Sequence, residues 1–92
     1  MTSRAVTVVN PLGLHARAAA RFVHLAASFH AHVRVARDSK VMDGKSIMGI
    51  LLLAAARGTT LTISAEGADE QAAVDALVDL VATGLGEVTW NA

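Results

Sequence analysis

The stretch TLTISAE, residues 60–66, decides the fold class, because apolar and polar residues alternate along it without a break. Such alternation is typical of a strand with one face on the core and the other in water. The chain before it is very apolar and predicts a short helix between Ser46 as N-cap and Gly58 as the stop. The chain after it predicts an amphipathic helix that is capped by Asp69 and ends at Gly84.

Three more strands and one more helix complete the pattern. Residues 5–9 are rich in valine, and residues 32–35 alternate valine with polar residues ahead of a turn at 38–40 and a strand at Val41. From Ala16 onward, apolar residues recur at spacings of three and four, which predicts a helix with one apolar and one basic side. The order β-α-β-β-α-β-α predicts an α+β fold: a four-stranded, mainly antiparallel sheet with three helices on one face.

The length and composition indicate one globular domain. Of the 92 residues, 53% are apolar and 17% are charged, which excludes a disordered chain. We expect a single domain over 1–92, with a loosely ordered tail at 85–92. The longest nearly apolar run, residues 47–56, has about half the length that a membrane span needs. Because the chain has no cysteine and no secretory signal, we expect a cytoplasmic protein that does not insert into membranes.

Charge is divided unevenly along the chain, although the net charge is zero. Residues 1–37 hold five arginines, four histidines and no acid, whereas residues 66–92 hold six acids and no base. The N-terminal region should therefore attract anionic ligands or acidic partners. Nucleic acid is not an expected partner, because the chain lacks both a net positive charge and a set of stacking aromatic residues.

One histidine, His15, lies where a loop turns into a helix, in the segment NPLGLHAR of residues 10–17. The first amides of a helix have no intrahelical partner, and the helix dipole places roughly half a positive charge there. A phosphate fits such a site, held by the backbone amides of Ala16 and Arg17 and by the Arg17 side chain. On these residues alone, a surface histidine or a weak cap is the commoner situation, and phosphoryl chemistry is the alternative.

Three segments, LGLHAR at 12–17, KSIMGI at 45–50 and TISAEG at 62–67, resemble HPr in their order and spacing. HPr is the histidine-containing phosphocarrier family of the phosphoenolpyruvate-dependent phosphotransferase system. The resemblance runs from Val6 to Gly84. It implies the family's fold, an open-faced β-sandwich, which agrees with the order of elements predicted above.

The resemblance also implies a mechanism for His15. Enzyme I would place a phosphoryl group on its Nδ1, Arg17 would bind the phosphate, and the group would pass on to an enzyme IIA domain. Such a protein is a carrier that forms a phosphohistidine intermediate and not a free-standing turnover enzyme, and we expect no cofactor. Ala18 stands where the family usually has proline; alanine is a good helix former, so the helix should still begin here.

A regulatory site and a docking surface follow from the same resemblance. By position alone Ser46 is an N-cap; the resemblance makes it the serine that HPr kinase/phosphorylase modifies. Enzyme I and enzyme IIA are expected to dock on the basic side of the first helix and on an apolar face of the second, at Ala20, Arg21, His24, Ile47, Met48 and Leu51. We expect a monomer. The pair His30 and His32 is not expected to bind a metal.

Two alternatives stay open. Within the family, the chain could belong to the nitrogen-related branch, which regulates and does not drive sugar uptake. Outside phosphoryl transfer, it could be a small interaction module that only binds regulators. An intact His15 and Arg17 argue against this second alternative.

Overall fold

The computed structural model describes residues 1–87 and contains seven elements of secondary structure in that range. They are β1 (Thr2–Thr7), α1 (Ala16–Ala27), β2 (His32–Arg37), β3 (Lys40–Asp43), α2 (Ile47–Leu52), β4 (Thr60–Glu66) and α3 (Glu70–Ala82). Their order is the one predicted from the sequence. Over this part of the chain, no helix is long and apolar enough to cross a membrane.

The four strands form one antiparallel sheet in the order β1-β4-β2-β3. β4 lies inside the sheet, with Leu61 opposite Val6 of β1 and Ile63 opposite Val35 of β2. Leu61 and Ile63 are fully buried, whereas the residues that alternate with them are exposed or half-buried. The alternation in β4 therefore divides the sheet into a core face and a solvent face, and the α+β class and the four-stranded sheet are confirmed.

Buried residues of all three helices and of the inner sheet face make one core. α1 brings mostly alanines to it, together with Phe22, which is 1% exposed. Its arginines, Arg17 and Arg21, and its only histidine, His24, are exposed on the opposite side. Because α1 packs against both α2 and α3 through its apolar side, its basic side is the one left for ligands and partners.

α2 is shorter than the sequence predicts: it ends at Leu52, six residues before Gly58. Ala54 takes a left-handed conformation with φ of +49°, which stops the helix even though alanine favours one. The guanidinium of Arg37 donates to the carbonyls of Leu53 at 2.7 Å and Ala54 at 2.9 Å. A side chain of β2 thus satisfies carbonyls that a longer helix would have bonded internally.

Asp69 precedes α3 as predicted, but its side chain makes no cap hydrogen bond. Its two carboxylate oxygens accept instead from the backbone N–H groups of His30 and Ala31, both at 2.8 Å. The bond from His30 is the largest cause that lowers the pKa of the Asp69 carboxyl below its ordinary value. Asp69 therefore joins the start of α3 to the segment between α1 and β2.

The sequence predicts a loosely ordered tail over 85–92, and the structure describes its first three residues. α3 ends in a Schellman motif, in which the Leu85 N–H donates to Leu80 at 2.8 Å and the Gly84 N–H donates to Val81 at 3.2 Å. Gly84 has the positive φ, +95°, that this motif requires. Leu85 follows it into the core and is fully buried. The rest of the predicted tail, residues 88–92, lies outside the described residues.

Candidate functional site

The loop before α1 is held against the chain that follows α2. Gly13 has φ of +64°, and a Cβ atom added to it would lie 2.4 Å from the Ala55 carbonyl oxygen. The next residue, Leu14, donates its N–H to that oxygen at 2.9 Å and is buried. A glycine is therefore required at this point, and the close approach fixes where His15 enters the helix.

His15 is the N-cap residue of α1, with extended backbone, as the sequence predicts. The first helical hydrogen bond runs from the Ala19 N–H to the His15 carbonyl at 2.8 Å. The amides of Ala16 and Arg17 precede this bond, so they have no acceptor within the helix. The imidazole makes no cap hydrogen bond to them, and 28% of the side chain is exposed. The ring is thus accessible, with unpaired backbone donors beginning one residue further on.

A carboxylate that the sequence analysis missed contacts this ring. Nε2 of His15 is hydrogen-bonded to Oε1 of Glu87, which lies 72 positions away in the chain. The same oxygen accepts from Nδ2 of Asn10 at 2.9 Å, and Nδ2 also donates to the Gly13 carbonyl at 2.8 Å. Asn10 itself is buried. One amide group therefore connects the loop before α1 with the carboxylate on the histidine.

The surroundings of Glu87 favour its ionised form. The hydrogen bond from His15 is the largest cause that holds the pKa of the Glu87 carboxyl below its ordinary value. Partial burial acts in the opposite direction, while the hydrogen bond from Asn10 and the positive charge of Arg21 reinforce the lowering. Around neutral pH the group beside Nε2 is therefore a carboxylate that accepts hydrogen bonds.

His15 lines a shallow depression, and Arg17, the arginine predicted to bind phosphate, lines it as well. Its lining consists of Leu12, His15, Arg17, Arg21, Gly86 and Glu87. Arg21 is engaged, since its Nη1 donates to the Leu85 carbonyl at 3.1 Å. Arg17 is exposed and makes no side-chain hydrogen bond or ion pair within residues 1–87, which leaves its guanidinium able to turn towards an anion on His15.

Ser46 is the N-cap of α2, and its Oγ accepts from the Gly49 N–H at 3.0 Å. The predicted docking residues on α2 differ in how much of each side chain is exposed. Ile47 is 42% exposed and Met48 is 66% exposed, whereas Leu51 is half-buried against the core. On α1, Arg21 and His24 are exposed and Ala20 is half-buried.

Two exposed leucines were not predicted as part of this surface. Leu52 is 55% exposed and Leu12 is 71% exposed, and Leu12 lines the depression of His15. The position of Leu52, four residues after Met48, could have placed it on the exposed side of α2. For Leu12 the signal was its place between a proline and a glycine in the loop before α1. Glu87 was indicated only weakly, by the Gly84-Leu85-Gly86 run, which is typical of a turn and directly precedes it.

The chain is similar to known proteins over nearly its whole length. The family model described as the PTS HPr component phosphorylation site matches residues 2–83. The chain is 47% identical over 87 residues to the phosphocarrier protein HPr of Cupriavidus necator, an alignment that covers 95% of this chain and 98% of the relative. It is 41% identical over 78 residues to the phosphocarrier protein NPr of Shewanella violacea, with coverages of 85% and 86%.

The fold has a close counterpart as well. The crystal structure of an HPr from Thermoanaerobacter tengcongensis superposes with a TM-score of 0.92 and 43% sequence identity, covering 97% of this chain and 100% of the other. Since the family model and the relatives extend over most of its length, the chain belongs to the HPr family of phosphocarrier proteins.

Proposed function

We propose that this protein accepts a phosphoryl group from enzyme I on Nδ1 of His15 and passes it to an enzyme IIA domain. One observation carries the choice of atom: the hydrogen bond to Glu87 occupies Nε2. A carboxylate accepts hydrogen bonds, so Nε2 carries the proton and Nδ1 keeps its lone pair. Nδ1 is therefore the nucleophilic nitrogen.

The transfer is a displacement at phosphorus. The lone pair of Nδ1 forms a bond to the phosphorus atom on enzyme I, while the bond from phosphorus to the donor atom breaks and its electron pair stays with the donor. Nε2 keeps its proton, so the phosphorylated ring carries a positive charge that faces the Glu87 carboxylate. In the second transfer the N–P bond breaks towards the acceptor and its electrons return to Nδ1. Positioning and charge neutralisation are the main requirements of such a step.

The phosphoryl oxygens would be bound by groups of this chain at the start of α1. The amides of Ala16 and Arg17, which have no acceptor within the helix, and the guanidinium of Arg17, which makes no hydrogen bond or ion pair within residues 1–87, are suitable donors. Arg21 has the right charge but is held by the Leu85 carbonyl. We therefore expect Arg17→Ala to reduce phosphoryl transfer more strongly than Arg21→Ala does.

Docking of the partners is proposed on the exposed apolar side chains of α2 and the basic side of α1. Met48 and Ile47 supply apolar area, and methionine adapts to partners of different shape. Arg17 and Arg21 would steer acidic partners towards the site. Steering of this kind predicts that added salt slows transfer from enzyme I. A transfer rate that does not change with salt would contradict it.

Ser46 is proposed as a regulatory site for HPr kinase/phosphorylase. A phosphate on its Oγ would lie at the start of α2, beside the exposed Ile47 and Met48. The added negative charge would oppose docking of an acidic partner. Ser46→Asp should therefore take up phosphate from enzyme I more slowly than Ser39→Asp, a matched change at another serine, which is exposed in the β2–β3 turn. Equal rates for the two variants would remove this role.

The decisive experiment is incubation with phosphoenolpyruvate and enzyme I. We expect a mass gain of one phosphoryl group that is lost in acid and is absent from His15→Ala. His32→Ala is the matched control, because His32 is an exposed histidine of β2 that lies outside the proposed docking surface. Absence of phosphorylation in the parent protein would favour the interaction module.

A second candidate within the family is the nitrogen-related branch, which the 41% identity to an NPr supports. Both branches use the same chemistry at His15 and differ in the acceptor. Transfer from the phosphorylated protein to a sugar-type and to a nitrogen-type enzyme IIA domain, measured side by side, distinguishes them.

A further inference from the structure

Resting on the function proposed above, we propose that Glu87 is a positioning residue for His15: its carboxylate holds the imidazole in the tautomer with hydrogen on Nε2 and keeps Nδ1 directed outward for phosphoryl transfer. The carboxylate acts through the ring and does not touch the reacting phosphorus. It lies on Nε2, and because the two ring nitrogens point in different directions, it does not occupy the side of the ring on which Nδ1 would carry the phosphoryl group.

The chain geometry brings Glu87 to the ring in a defined way. The Glu87 N–H donates to the Gly84 carbonyl at 3.1 Å and closes a four-residue turn. Its central residues, Leu85 and Gly86, have φ of +58° and +74°, as in a type I′ turn. This conformation is unfavourable for a leucine, and full burial of the Leu85 side chain holds it in place. The buried Leu85 therefore fixes the position of Glu87, two residues further along the chain.

Two side chains fix the turn and its carboxylate from the other side. Asn10, which is 3% exposed, donates to Glu87 Oε1, and Arg21 donates to the Leu85 carbonyl. A Cβ atom on Gly86 would lie 2.9 Å from Nη1 of Arg21, so the glycine is what lets the guanidinium approach the turn. The titratable and basic groups around Glu87 are thus the His15 ring and Arg21, with Arg17 lining the same depression.

A fixed tautomer matters because only the nitrogen without hydrogen can attack phosphorus. A neutral imidazole in water interconverts between two tautomers, and the hydrogen bond made by one nitrogen decides which form is present. A carboxylate that holds a histidine in this way is a general device, and at metal-binding histidines its loss costs about tenfold to a hundredfold in metal affinity or activity. We expect an effect at the lower end of that range, since the His15 side chain is 28% exposed and water can replace the carboxylate.

The test combines ring nitrogen NMR with transfer kinetics on Glu87→Ala, Glu87→Gln and the parent protein. In the parent, the ¹⁵N shifts should show a protonated Nε2 and an unprotonated Nδ1. In Glu87→Ala the two shifts should move towards each other, and the maximal rate of phosphoryl uptake from enzyme I should fall about tenfold while KM changes less than about twofold. Glu87→Gln keeps an acceptor oxygen and should retain the tautomer and most of the rate.

Controls separate positioning from folding and docking. Glu66→Gln removes one exposed carboxylate of β4 and should change neither the ring shifts nor the rate. Circular dichroism and thermal unfolding establish that each variant is folded. Unchanged ring shifts in Glu87→Ala, an unchanged maximal rate, or a rise in KM alone would each overturn the positioning role. If the parent protein showed the expected ring shifts but took up no phosphate, the proposed function would be refuted. The role of Glu87 in phosphoryl transfer would then fall with it.

Discussion

Replacing Gly13 by alanine is the most direct test of how this fold sets the phosphorylation site. The added Cβ would lie 2.4 Å from the Ala55 carbonyl oxygen, a distance that requires one of the two segments to move. That oxygen accepts the Leu14 N–H, so the movement would break or stretch this hydrogen bond. Because Leu14 directly precedes His15, the displacement should reach the imidazole.

The magnitude follows from two contributions. Placing a residue other than glycine at φ of +64° costs about 1–2 kcal/mol. Loss of the Leu14–Ala55 hydrogen bond costs about 0.5–1.5 kcal/mol. Together they destabilise the protein by about 1.5–3.5 kcal/mol, which for a domain of this size lowers Tm by roughly 6–28 °C. Small domains have about 5–15 kcal/mol of stability, so the variant should remain folded at 25 °C.

Gly58→Ala is the matched control. Gly58 also has a positive φ, +91°, but a Cβ there would meet no atom within 4 Å. It therefore carries only the conformational cost of about 1–2 kcal/mol. Urea unfolding at 25 °C gives both values, and phosphoryl uptake from enzyme I should be slowed in Gly13→Ala only. If the two variants were equally stable and equally active, the close approach to Ala55 would have no role.

Three further changes test other parts of the structure. Ser46→Ala removes the bond to the Gly49 N–H and should lower the free energy of unfolding by about 1 kcal/mol in urea titration. Met48→Lys, at a residue 66% exposed, should alter stability by less than about 0.5 kcal/mol but raise KM for enzyme I in steady-state uptake assays. Folding lowers the pKa of Asp69, so the stability that its carboxylate contributes is complete above the unfolded-state pKa and is lost as pH falls through the folded-state pKa. Urea titrations at acidic and neutral pH should therefore show that acidification lowers the free energy of unfolding less in Asp69→Asn than in the parent. A normal KM in Met48→Lys, or parallel pH profiles for parent and Asp69→Asn, would contradict the corresponding reasoning.

Much of the fold was predictable because local pattern and burial agree. In β4 the apolar residues are buried and the polar residues that alternate with them are not. In α1 the apolar residues that recur at spacings of three and four form the buried side of the helix. The length of α2 was not predictable, because the residues after Leu52 are good helix formers. Ala54 ends the helix with its left-handed conformation, and the carbonyls there are satisfied by Arg37, a residue of another element whose contacts no local pattern reveals.

The candidate site, too, has residues that were predictable from the sequence and residues that were not. His15 and its place at the N-cap were predicted, since the loop and the helix start are adjacent in sequence. Glu87 was not, because its contact with His15 depends on the Schellman motif, on burial of Leu85 and on Asn10 at once. Tertiary contacts across 72 positions cannot be read from spacing. The same limit applies to Asp69, whose hydrogen-bond donors lie between α1 and β2 and not in its own helix.

The alanine at position 18 changes how firmly the backbone is preset at the start of α1. The hydrogen-bond ladder of the helix begins with the Ala19 N–H, so the N–H of Ala18 has no helical acceptor. A proline here, as the family usually has, would cost the helix no bond but would take this donor away. The chain thus gives up the rigid ring at the helix entrance without opening a new contact surface there, because Ala18 is fully buried.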